Sequence, residues 1–344
     1  MNNKDKEYMA IVVPKKIYVS SSARLHMGFF DLHGGLGRKF GSIGLSIEAP
    51  SLELTATRAE KLIVTGLANT RVEKVADKVI AKLNSEFNIS AAVNLNIQQN
   101  LPEHAGLGSG TQQALVIGTA ISRLYGLNLT TAQIAELTGR GGRSGIGIAA
   151  FDLGGLLIDG GRVSNVPQSM ENNLGVSNKV PPLLAHYDFP EDWRILLILD
   201  NKQPGIHGDE ELAAFKTLPV FPESLAAHLC RSVLMQGMPA IVERDLTAFG
   251  NCIRELQMHV GDYFAPAQGG RYASQQVGAV LQYLEALGVA CFGQSSWGPT
   301  GFAVFENEEL AHKHMLELKM NFMEPNLTFM MCSAKNRGAK VVES

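Results

Sequence analysis

A glycine-rich loop between a strand and a helix constrains this chain more than any other feature. The loop is Leu101–Gly110, with the sequence LPEHAGLGSG. Ala91–Gln98 before it alternates apolar and polar residues, which predicts a half-buried strand. Thr111–Tyr125 after it carries apolar residues at helical spacing and is followed by a glycine where a C-cap belongs. The sequence therefore predicts a strand, a tight loop and a helix in that order.

The loop has the composition of an anion site. Its glycines allow positive φ and close approach of the backbone to a ligand. Ser109 and Thr111 can cap the helix, whose first N–H groups and dipole favour a negative charge. A phosphate cradle and a plain glycine-rich turn with a good cap both fit this local pattern. The loop lacks the Gly-Lys-Ser/Thr ending of a Walker A motif and the G-x-G-x-x-G spacing of a dinucleotide site.

A second candidate for ligand contact is the segment from Ser22 to Phe40. It combines charged and titratable side chains, among them Arg24, His26 and Asp31, with four glycines and no clean period. Such a mixture is typical of a substrate-binding loop. A surface loop with solvated charges is the alternative that these residues leave open.

The most glycine-dense stretch is Gly139–Gly147, with the sequence GRGGRSGIG. Arg140 and Arg143 stand among its glycines. Glycine lets the backbone approach a ligand, and arginine binds phosphate through two parallel hydrogen bonds. A ligand loop is the favoured interpretation, and a flexible linker is the alternative.

Size, charge and cysteine usage limit the function further. With 344 residues, 45% of them hydrophobic, the chain can bury a core and divide into two domains. A net charge of −3 gives no reason to expect a nucleic-acid partner, so an anion site has to be made locally. The four cysteines are widely spaced and predict reduced thiols in a cytoplasmic protein. The apolar run Met9–Val13 is too short to span a membrane, and no other candidate is apparent.

The motif Pro102-x-x-x-Gly106-Leu-Gly108-Ser109-Gly110 resembles the phosphate-binding motif P-x-x-x-G-L-G-S-S/G of the GHMP kinase superfamily. Several further stretches together resemble one branch of it, the β-ribofuranosylaminobenzene 5′-phosphate synthase family. The matching stretches are Ser22–Phe29, Gly106–Gly110, Gly142–Gly147, Gly154–Gly155, Asp159–Gly161, Gln203–Gly208, Gln268–Gly270 and Gly293–Pro299. The last three are the specific ones, because a generic small-molecule kinase is not expected to carry them.

The resemblance implies an α+β fold with two layers. Residues 16–185 are expected to form a ribosomal-S5-like N-terminal domain, and residues 186–344 a ferredoxin-like C-terminal domain. The ligand is expected between the two domains. Residues 1–15 are predicted to be a disordered tail. The resemblance and the apolar content also suggest a homodimer.

The resemblance also implies the reaction. Phosphoribosyl pyrophosphate is joined to 4-aminobenzoate, or in some relatives to 4-hydroxybenzoate, while carbon dioxide and pyrophosphate leave. The product is a C-riboside 5′-phosphate on the route to methanopterin-type one-carbon carriers. Many kinases of the superfamily have an aspartate base at the position of Gly147. Its absence disfavours a kinase here, although other kinases of the superfamily also lack it.

On this basis, catalytic roles are predicted for Arg24, His26 and Asp31. The predicted substrate-binding residues are Pro102, Gly106, Leu107, Gly108, Ser109, Gly110, Thr111, Arg140, Arg143, Ser144, Gln294, Ser295, Ser296 and Trp297. Phe29, Phe30 and Trp297 are candidates for a flat slot that holds the aromatic acid, and His26 or His33 is a candidate to hydrogen-bond its amino or carboxylate group. Mg²⁺ is expected as a cofactor carried mostly by the pyrophosphate, with Asp31 a candidate ligand and no other metal site assigned.

Two other classes of function stay open. The first is an ATP-dependent kinase for a small alcohol or acid, in which the glycine loop holds the phosphates of ATP. The second is a binding protein on the same fold without catalysis. The density of polar glycine loops argues against the second, because such loops are costly without a ligand.

Overall fold

Two β-sheets, each with helices packed on it, organise the chain. The computed structural model describes residues 14–67, 70–164, 180–202, 205, 215 and 217–344. The strands are β1 Lys16–Asp31, β2 Arg38–Lys39, β3 Gly41–Arg58, β4 Ile63–Gly66, β5 Val93–Gln99, β6 Leu156–Asp159, β7 Arg162–Val163, β8 Leu183–Tyr187, β9 Arg194–Asp200, β10 Cys291–Gln294, β11 Gly301–Phe305, β12 Leu327–Cys332 and β13 Lys340–Glu343. The helices are α1 Thr70–Phe87, α2 Ser109–Leu124, α3 Thr131–Thr138, α4 Ile146–Asp152, α5 Glu223–Ser232, α6 Met238–Glu243, α7 Leu246–Gln268, α8 Gln275–Ala286 and α9 Glu308–Asn321. A π-helical turn, Val233–Gly237, joins α5 to α6.

The first sheet is built around β1 and β3, which pair along most of their length. Its order is β13-β1-β3-β5-β4, while β6 pairs with β3 and β8 pairs with β6. Only the β4–β5 pair is parallel among these described strands. Helix α2 packs on β1 and β3, and α1 packs on α2. The start of α2, where the glycine loop ends, is therefore fixed against the centre of this sheet.

The second sheet has the order β10-β11-β9-β12 with every pair antiparallel. Among the described elements, helices α5 to α8 lie between β9 and β10 in the chain, and α9 lies between β11 and β12. This is the strand order and connection of a ferredoxin-like β-α-β-β-α-β unit. Alternate residues of β9 face opposite sides: Leu196 and Ile198 join a cluster with α8 and α9, while Ile195 and Leu197 join the main core.

The prediction of an irregular loop over Ser22–Phe40 is wrong for its first half, because β1 continues to Asp31. The pairing of β1 with β3 shifts register at Ser22/Arg24, His26/Gly28 and Phe29/Asp31. Each shift interrupts the alternation of side chains, and this part of the strand is buried on both faces. The two-residue period by which a strand is recognised is therefore absent.

Two further predictions differ from the structure. The helical pattern of Pro239–Met258 predicts one helix, but the structure breaks it: Arg244 has a φ of 61°, and the Asp245 side chain caps α7 by accepting from Ala248 N at 2.9 Å. The polar segment Val163–Pro190, with four prolines and little periodicity, predicts a connection between the two halves, but it contains β8. Residues 165–179 of that segment, residues 1–13 of the predicted tail, and most of Glu210–Lys216, whose pattern predicts a helix, lie outside the described residues.

Among the described residues, one helical stretch, Glu223–Glu243, is long and apolar enough to cross a membrane by length and composition, with a mean hydropathy of 1.2. The sequence pattern had predicted no such stretch. A core helix passes the same test, and one side of this stretch packs into the main core through Ala226, Leu229, Val233 and Ile241. The cytoplasmic location stays a prediction.

Candidate active site

The glycine loop ends at the first turn of α2. Gly106 and Gly108 have φ of 77° and 83°, in the left-handed region that glycine adopts without strain. Gly108 is the N-cap of α2 and no side chain caps this helix, so the prediction that Ser109 or Thr111 caps it is wrong. The first helical bonds run from Thr111 N and Gln112 N to the Gly108 carbonyl. The N–H groups of Ser109 and Gly110, which precede Thr111, are the donors that this helix start offers to an anion.

The turn after β10 closes over the loop from the other half of the chain. The Ser295 hydroxyl donates to the Gly106 carbonyl at 2.8 Å, and His26 N donates to Ser295 Oγ at 3.0 Å. Ser296 N in turn donates to the His26 carbonyl at 3.0 Å. Arg24 Nη1 donates to the same Gly106 carbonyl at 2.5 Å. Strand β1, the glycine loop and the turn after β10 thus meet at one point.

Three glycines make this meeting possible. A Cβ atom placed on Gly106 would overlap the Ser295 carbonyl oxygen, and one placed on Gly298 would overlap the backbone of the glycine loop. A Cβ on Gly205 would lie 2.6 Å from Gly298 Cα, and Gly205 N donates to the His104 carbonyl at 2.8 Å. Gly205 is the one described residue of the predicted Gln203–Gly208 stretch. At these three glycines the backbone segments are in direct contact, and they leave no space for a side chain.

Arginine side chains flank the loop at two places. A Cβ on Gly108 would lie 3.2 Å from the guanidinium carbon of Arg24, and one on Gly110 would lie 3.2 Å from Arg140 Nη1 and overlap Arg71 Nη2. Burial and the neighbouring Arg71 lower the pKa of Arg140. Arginine nevertheless keeps its charge in proteins. Of the three arginines predicted to contact the substrate anion, Arg24 and Arg140 therefore lie beside the loop.

The glycine-dense stretch Gly139–Gly147 packs on the first turn of α2. A Cβ on Gly147 would lie 3.1 Å from Thr111 Cγ2, and Gln112 Nε2 donates to the Gly147 carbonyl at 2.7 Å. The Ser144 hydroxyl, predicted to bind substrate, donates to Asp159 Oδ2 at 2.9 Å. Asp159 is 1% exposed, and burial raises its pKa although hydrogen bonds to the carboxylate oppose the shift. In this structure Ser144 thus serves to hold the stretch in place.

A small cavity of about 30 Å³ with aromatic side chains in its wall lies beside the turn after β10. Its lining residues are His26, Gly28, Phe29, Gln257, Val260, Gly261, Phe264, Gln268, Arg271, Gln294, Ser296 and Trp297. The Trp297 ring lies 4.2 Å from the Phe264 ring. Trp297 Nε1 is buried without a hydrogen-bond partner in the structure. Of the three residues predicted for an aromatic slot, Phe29 and Trp297 line this cavity and Phe30 does not.

His26 connects the cavity to the loop and is buried. Burial, and then the charge of Arg24, lowers its pKa to about 3. The imidazole is consequently neutral at physiological pH, where one ring nitrogen can accept a hydrogen bond. Nε2 is buried and has no partner in the structure. The ring also packs against Phe29, with 4.6 Å between the centroids.

Other predicted residues lie in different surroundings. Asp31 Oδ1 accepts from His33 N and Gly34 N and closes the turn after β1. Pro102 is exposed, while the Leu107 side chain is buried in the core. The Arg143 guanidinium lies over the Phe215 ring, 5.6 Å from its centroid.

Two residues that contribute to the site, Gln257 and Arg71, were not predicted from the sequence. Gln257 on α7 donates to the Gln294 carbonyl and accepts from Gln294 N, so it fixes the end of β10 beside the cavity. Arg71 at the start of α1 reaches Gly110. Both lie in amphipathic helices, where the apolar face dominates the pattern and a single polar residue carries no signal.

No group of three or more His, Cys, Asp or Glu able to hold a metal occurs among the described residues.

Comparison with known proteins places this architecture. The GHMP kinases N terminal domain matches residues 71–155 and the GHMP kinases C terminal domain matches residues 238–319. The β-ribofuranosylphenol 5′-phosphate synthase of Archaeoglobus fulgidus is 34% identical, covering 93% of this chain and 97% of that protein. The protein of the same name from Methanocaldococcus jannaschii is 33% identical, covering 86% and 91%.

Solved structures agree on the fold. Homoserine kinase from Cytophaga hutchinsonii superposes with a TM-score of 0.65 at 15% identity, covering 99% of this chain and all of that one. Mevalonate diphosphate decarboxylase from Staphylococcus aureus superposes with a TM-score of 0.66 at 14% identity, covering 96% and 98%. At such identities the likeness is one of fold.

The fold, the glycine loop and both domain matches define a protein of the GHMP kinase class, which confirms the predicted fold. Within that class the chain belongs to the β-ribofuranosylphenol 5′-phosphate synthase family, the branch to which the sequence resemblance pointed. Its relatives are named for a phenol where the prediction named an aminobenzene.

Proposed function

We propose that this protein transfers the phosphoribosyl group of phosphoribosyl pyrophosphate to a para-substituted benzoate, with loss of carbon dioxide and pyrophosphate. The observation that supports this most is the shared wall of two sites. The Ser295–Gly298 turn contacts the glycine loop through Ser295 and Gly298 and borders the aromatic cavity through Ser296 and Trp297. An anionic sugar donor on the loop and a flat acceptor in the cavity would therefore lie side by side.

The donor side needs charge and fixed N–H groups. Bond breaking at C1 of the ribose leaves a cation-like sugar and a pyrophosphate with growing negative charge. The start of α2 and the guanidinium of Arg24 beside Gly108 supply positive charge where that pyrophosphate would lie. Both groups are held by the surrounding structure before the substrate arrives, so little reorganisation is needed.

The acceptor side needs an apolar slot with few polar groups. Trp297, Phe264 and Phe29 supply aromatic surface, and His26 Nε2 and Trp297 Nε1 are two polar atoms that lack a partner. A neutral His26 can accept a hydrogen bond from a para hydroxyl or amino group, which raises the electron density of the ring. The names of the relatives favour 4-hydroxybenzoate as the acceptor, and 4-aminobenzoate fits the same contact.

The electrons of the proposed reaction balance without an oxidant or a net proton. The ring carbon that bears the carboxylate gives an electron pair to C1 of the ribose. The C1–O bond breaks and its pair leaves with pyrophosphate. The bond to the carboxylate then breaks, carbon dioxide departs, and its pair restores the aromatic ring. The product would be an early intermediate of methanopterin-type carriers, as the resemblance predicts.

Magnesium is part of the proposal as a substrate-bound ion. The described residues offer no cluster of three acidic or imidazole ligands, and Mg²⁺ is commonly held through substrate phosphates with several waters retained. When bound, the ion would neutralise charge on the departing pyrophosphate. Asp31 already accepts two backbone N–H bonds on one oxygen. The homodimer and the absence of nucleic-acid and membrane partners likewise stay predictions.

The test uses carboxyl-labelled 4-hydroxybenzoate and 4-aminobenzoate, each with phosphoribosyl pyrophosphate and Mg²⁺. The expected result is labelled carbon dioxide and pyrophosphate in equal amounts, an unlabelled C-riboside by mass spectrometry, and no need for ATP. Parallel incubations with ATP and small alcohols test the kinase alternative. Label retained in the product, or turnover only with ATP, would show the proposal to be wrong.

A further inference from the structure

Positive side chains crowd one side of the α2 start. Arg71 arrives from the first turn of α1 and Arg140 from the residue pair that follows α3. A Cβ on Gly110 would overlap Arg71 Nη2 and lie 3.2 Å from Arg140 Nη1. The two guanidinium groups therefore border the same small space, next to the backbone of Gly110. Lys78 on α1 lies near them and donates to the Thr138 carbonyl at 3.1 Å.

These charges are not neutralised within the part of the chain that the structure describes. No carboxylate there forms an ion pair with Arg71, Lys78 or Arg140. Arg71 Nη1 and Arg140 Nε are buried and lack a hydrogen-bond partner. Burial and the charge of Arg140 lower the pKa of Lys78, as expected where like charges face each other. Buried polar groups of this kind are normally satisfied, so the arrangement favours an anion as their partner.

The loop thus carries two separate positive ends. Arg24 lies beside Gly108, and the Arg71–Arg140 pair lies beside Gly110. Gly108 and Gly110 are two residues apart, and consecutive Cα atoms are separated by about 3.8 Å, so their Cα atoms can be at most ~7 Å apart. The proposed donor likewise has two anionic ends, a 5′-phosphate and a 1-pyrophosphate, with the ribose between them.

The aromatic cavity decides which end holds which group. His26 lies two residues beyond Arg24 on β1 and lines the cavity, whereas neither Arg71 nor Arg140 does. C1 of the ribose carries the pyrophosphate and must face the acceptor. The pyrophosphate consequently belongs at the Arg24 end, which leaves the Arg71–Arg140 end for the other phosphate.

We infer that Arg71 and Arg140 bind the 5′-phosphate of the phosphoribosyl donor, with guanidinium groups that approach the α2 backbone closely because Gly110 has no side chain. This inference rests on the proposed function and adds the orientation of the donor to it. Ribose 5-phosphate and inorganic pyrophosphate are the probes that separate the two ends, because each carries one of the two anionic groups.

The experiment measures the affinity of each probe by calorimetry, and KM and kcat for phosphoribosyl pyrophosphate, in Arg71→Met and Arg24→Met. Arg71→Met is expected to weaken ribose 5-phosphate binding about 10- to 100-fold and to leave pyrophosphate within about twofold. Arg24→Met is expected to do the reverse. Lys74→Met removes a charge from an exposed position of the same helix and should change neither probe.

A second variant tests the close approach of Arg71 to Gly110 without removing a charge. Gly110→Ala forces Arg71 aside, and its flexible guanidinium can move, so the protein should fold and lose ribose 5-phosphate affinity selectively. Arg71→Lys should restore part of the affinity that Arg71→Met loses.

Three results would overturn the inference: loss of pyrophosphate rather than ribose 5-phosphate in Arg71→Met, no effect on either probe, or a selective loss of ATP binding. A wild-type protein that does not bind phosphoribosyl pyrophosphate would instead overturn the proposed function.

Discussion

The Ser295 hydroxyl donates to the Gly106 carbonyl at 2.8 Å across a separation of 189 residues. The Ser295 hydroxyl oxygen also accepts a hydrogen bond from His26 N, and Ser295 is fully buried. One hydroxyl therefore joins the strand that bears His26, the glycine loop and the turn after β10.

Ser295→Ala should remove both bonds and leave a buried N–H and a buried carbonyl with fewer partners. We expect a loss of about 1–3 kcal/mol in the free energy of unfolding and a fall in kcat/KM, because the cavity and the loop lose their connection. Urea denaturation and steady-state kinetics measure the two effects. Ser51→Ala, which removes an exposed hydroxyl bonded to Gln99, is the control and should cost less than about 0.5 kcal/mol.

Gly108→Ala should weaken phosphoribosyl pyrophosphate binding more than it destabilises the fold. The φ of 83° strains any side chain, and the added Cβ would press on the Arg24 guanidinium. The strain alone costs roughly 1–2 kcal/mol. Gly288→Ala shows that cost without a neighbour, because Gly288 has a φ of 77° and nothing within 4 Å. Equal stability loss in both variants, with binding lost only in Gly108→Ala, is the expected pattern; unchanged binding in a folded Gly108→Ala would argue against the cradle.

His26 should make stability depend on pH. Its pKa is lowered to about 3 from the usual 6.5, so between these values the unfolded chain binds a proton that the folded protein does not. Stability is therefore complete above about pH 6.5 and falls as the pH decreases, by up to about 1.4 kcal/mol per unit. Urea denaturation between pH 5 and 8 should show this slope in the wild type and a smaller one in His26→Gln. A histidine resonance of His26 titrating near pH 6.5 by NMR would contradict the buried, neutral ring.

Gly147→Asp should fail to create a kinase and should reduce the proposed synthase activity. The new Cβ would lie 3.1 Å from Thr111 Cγ2, which places a carboxylate at the first turn of α2. At a separation of about 4 Å and an effective dielectric constant near 20, repulsion of a bound phosphate would be on the order of 4 kcal/mol. Gly147→Asn has almost the same shape without the charge, so the difference in KM between the two variants isolates the electrostatic part. Gain of ATP-dependent phosphorylation in Gly147→Asp would favour the kinase alternative.

The local pattern was sufficient for the centre of the site. The alternation before Leu101 and the helical spacing after Thr111 predicted β5 and α2 on either side of the glycine loop, and both are present. The amphipathic spacing of Arg71–Phe87 also predicts a helix, and α1 is present there. These elements are determined by residues that are close together in the sequence, so the sequence pattern is sufficient to predict them.

The misses all depend on distant contacts. The bulges of β1 exist because β3, α2 and α7 surround that strand. The sequence of the strand itself does not predict their positions. Arg71 belongs to the loop only because α1 packs on α2, and Gln257 belongs to the cavity only because α7 crosses β10. The N-cap was assigned to a hydroxyl because serine and threonine are common there, whereas the close packing of this loop requires glycine.

The contact of Gly106, Gly205 and Gly298 sets a boundary for engineering. At each of these positions an added side chain would meet backbone atoms, which a neighbouring substitution cannot trim away. A mutant library aimed at new acceptors should therefore keep all three positions constant. The diversity belongs instead on Val260 and Phe264, whose side chains wall the cavity from α7 and can be exchanged for larger or smaller ones without touching that contact.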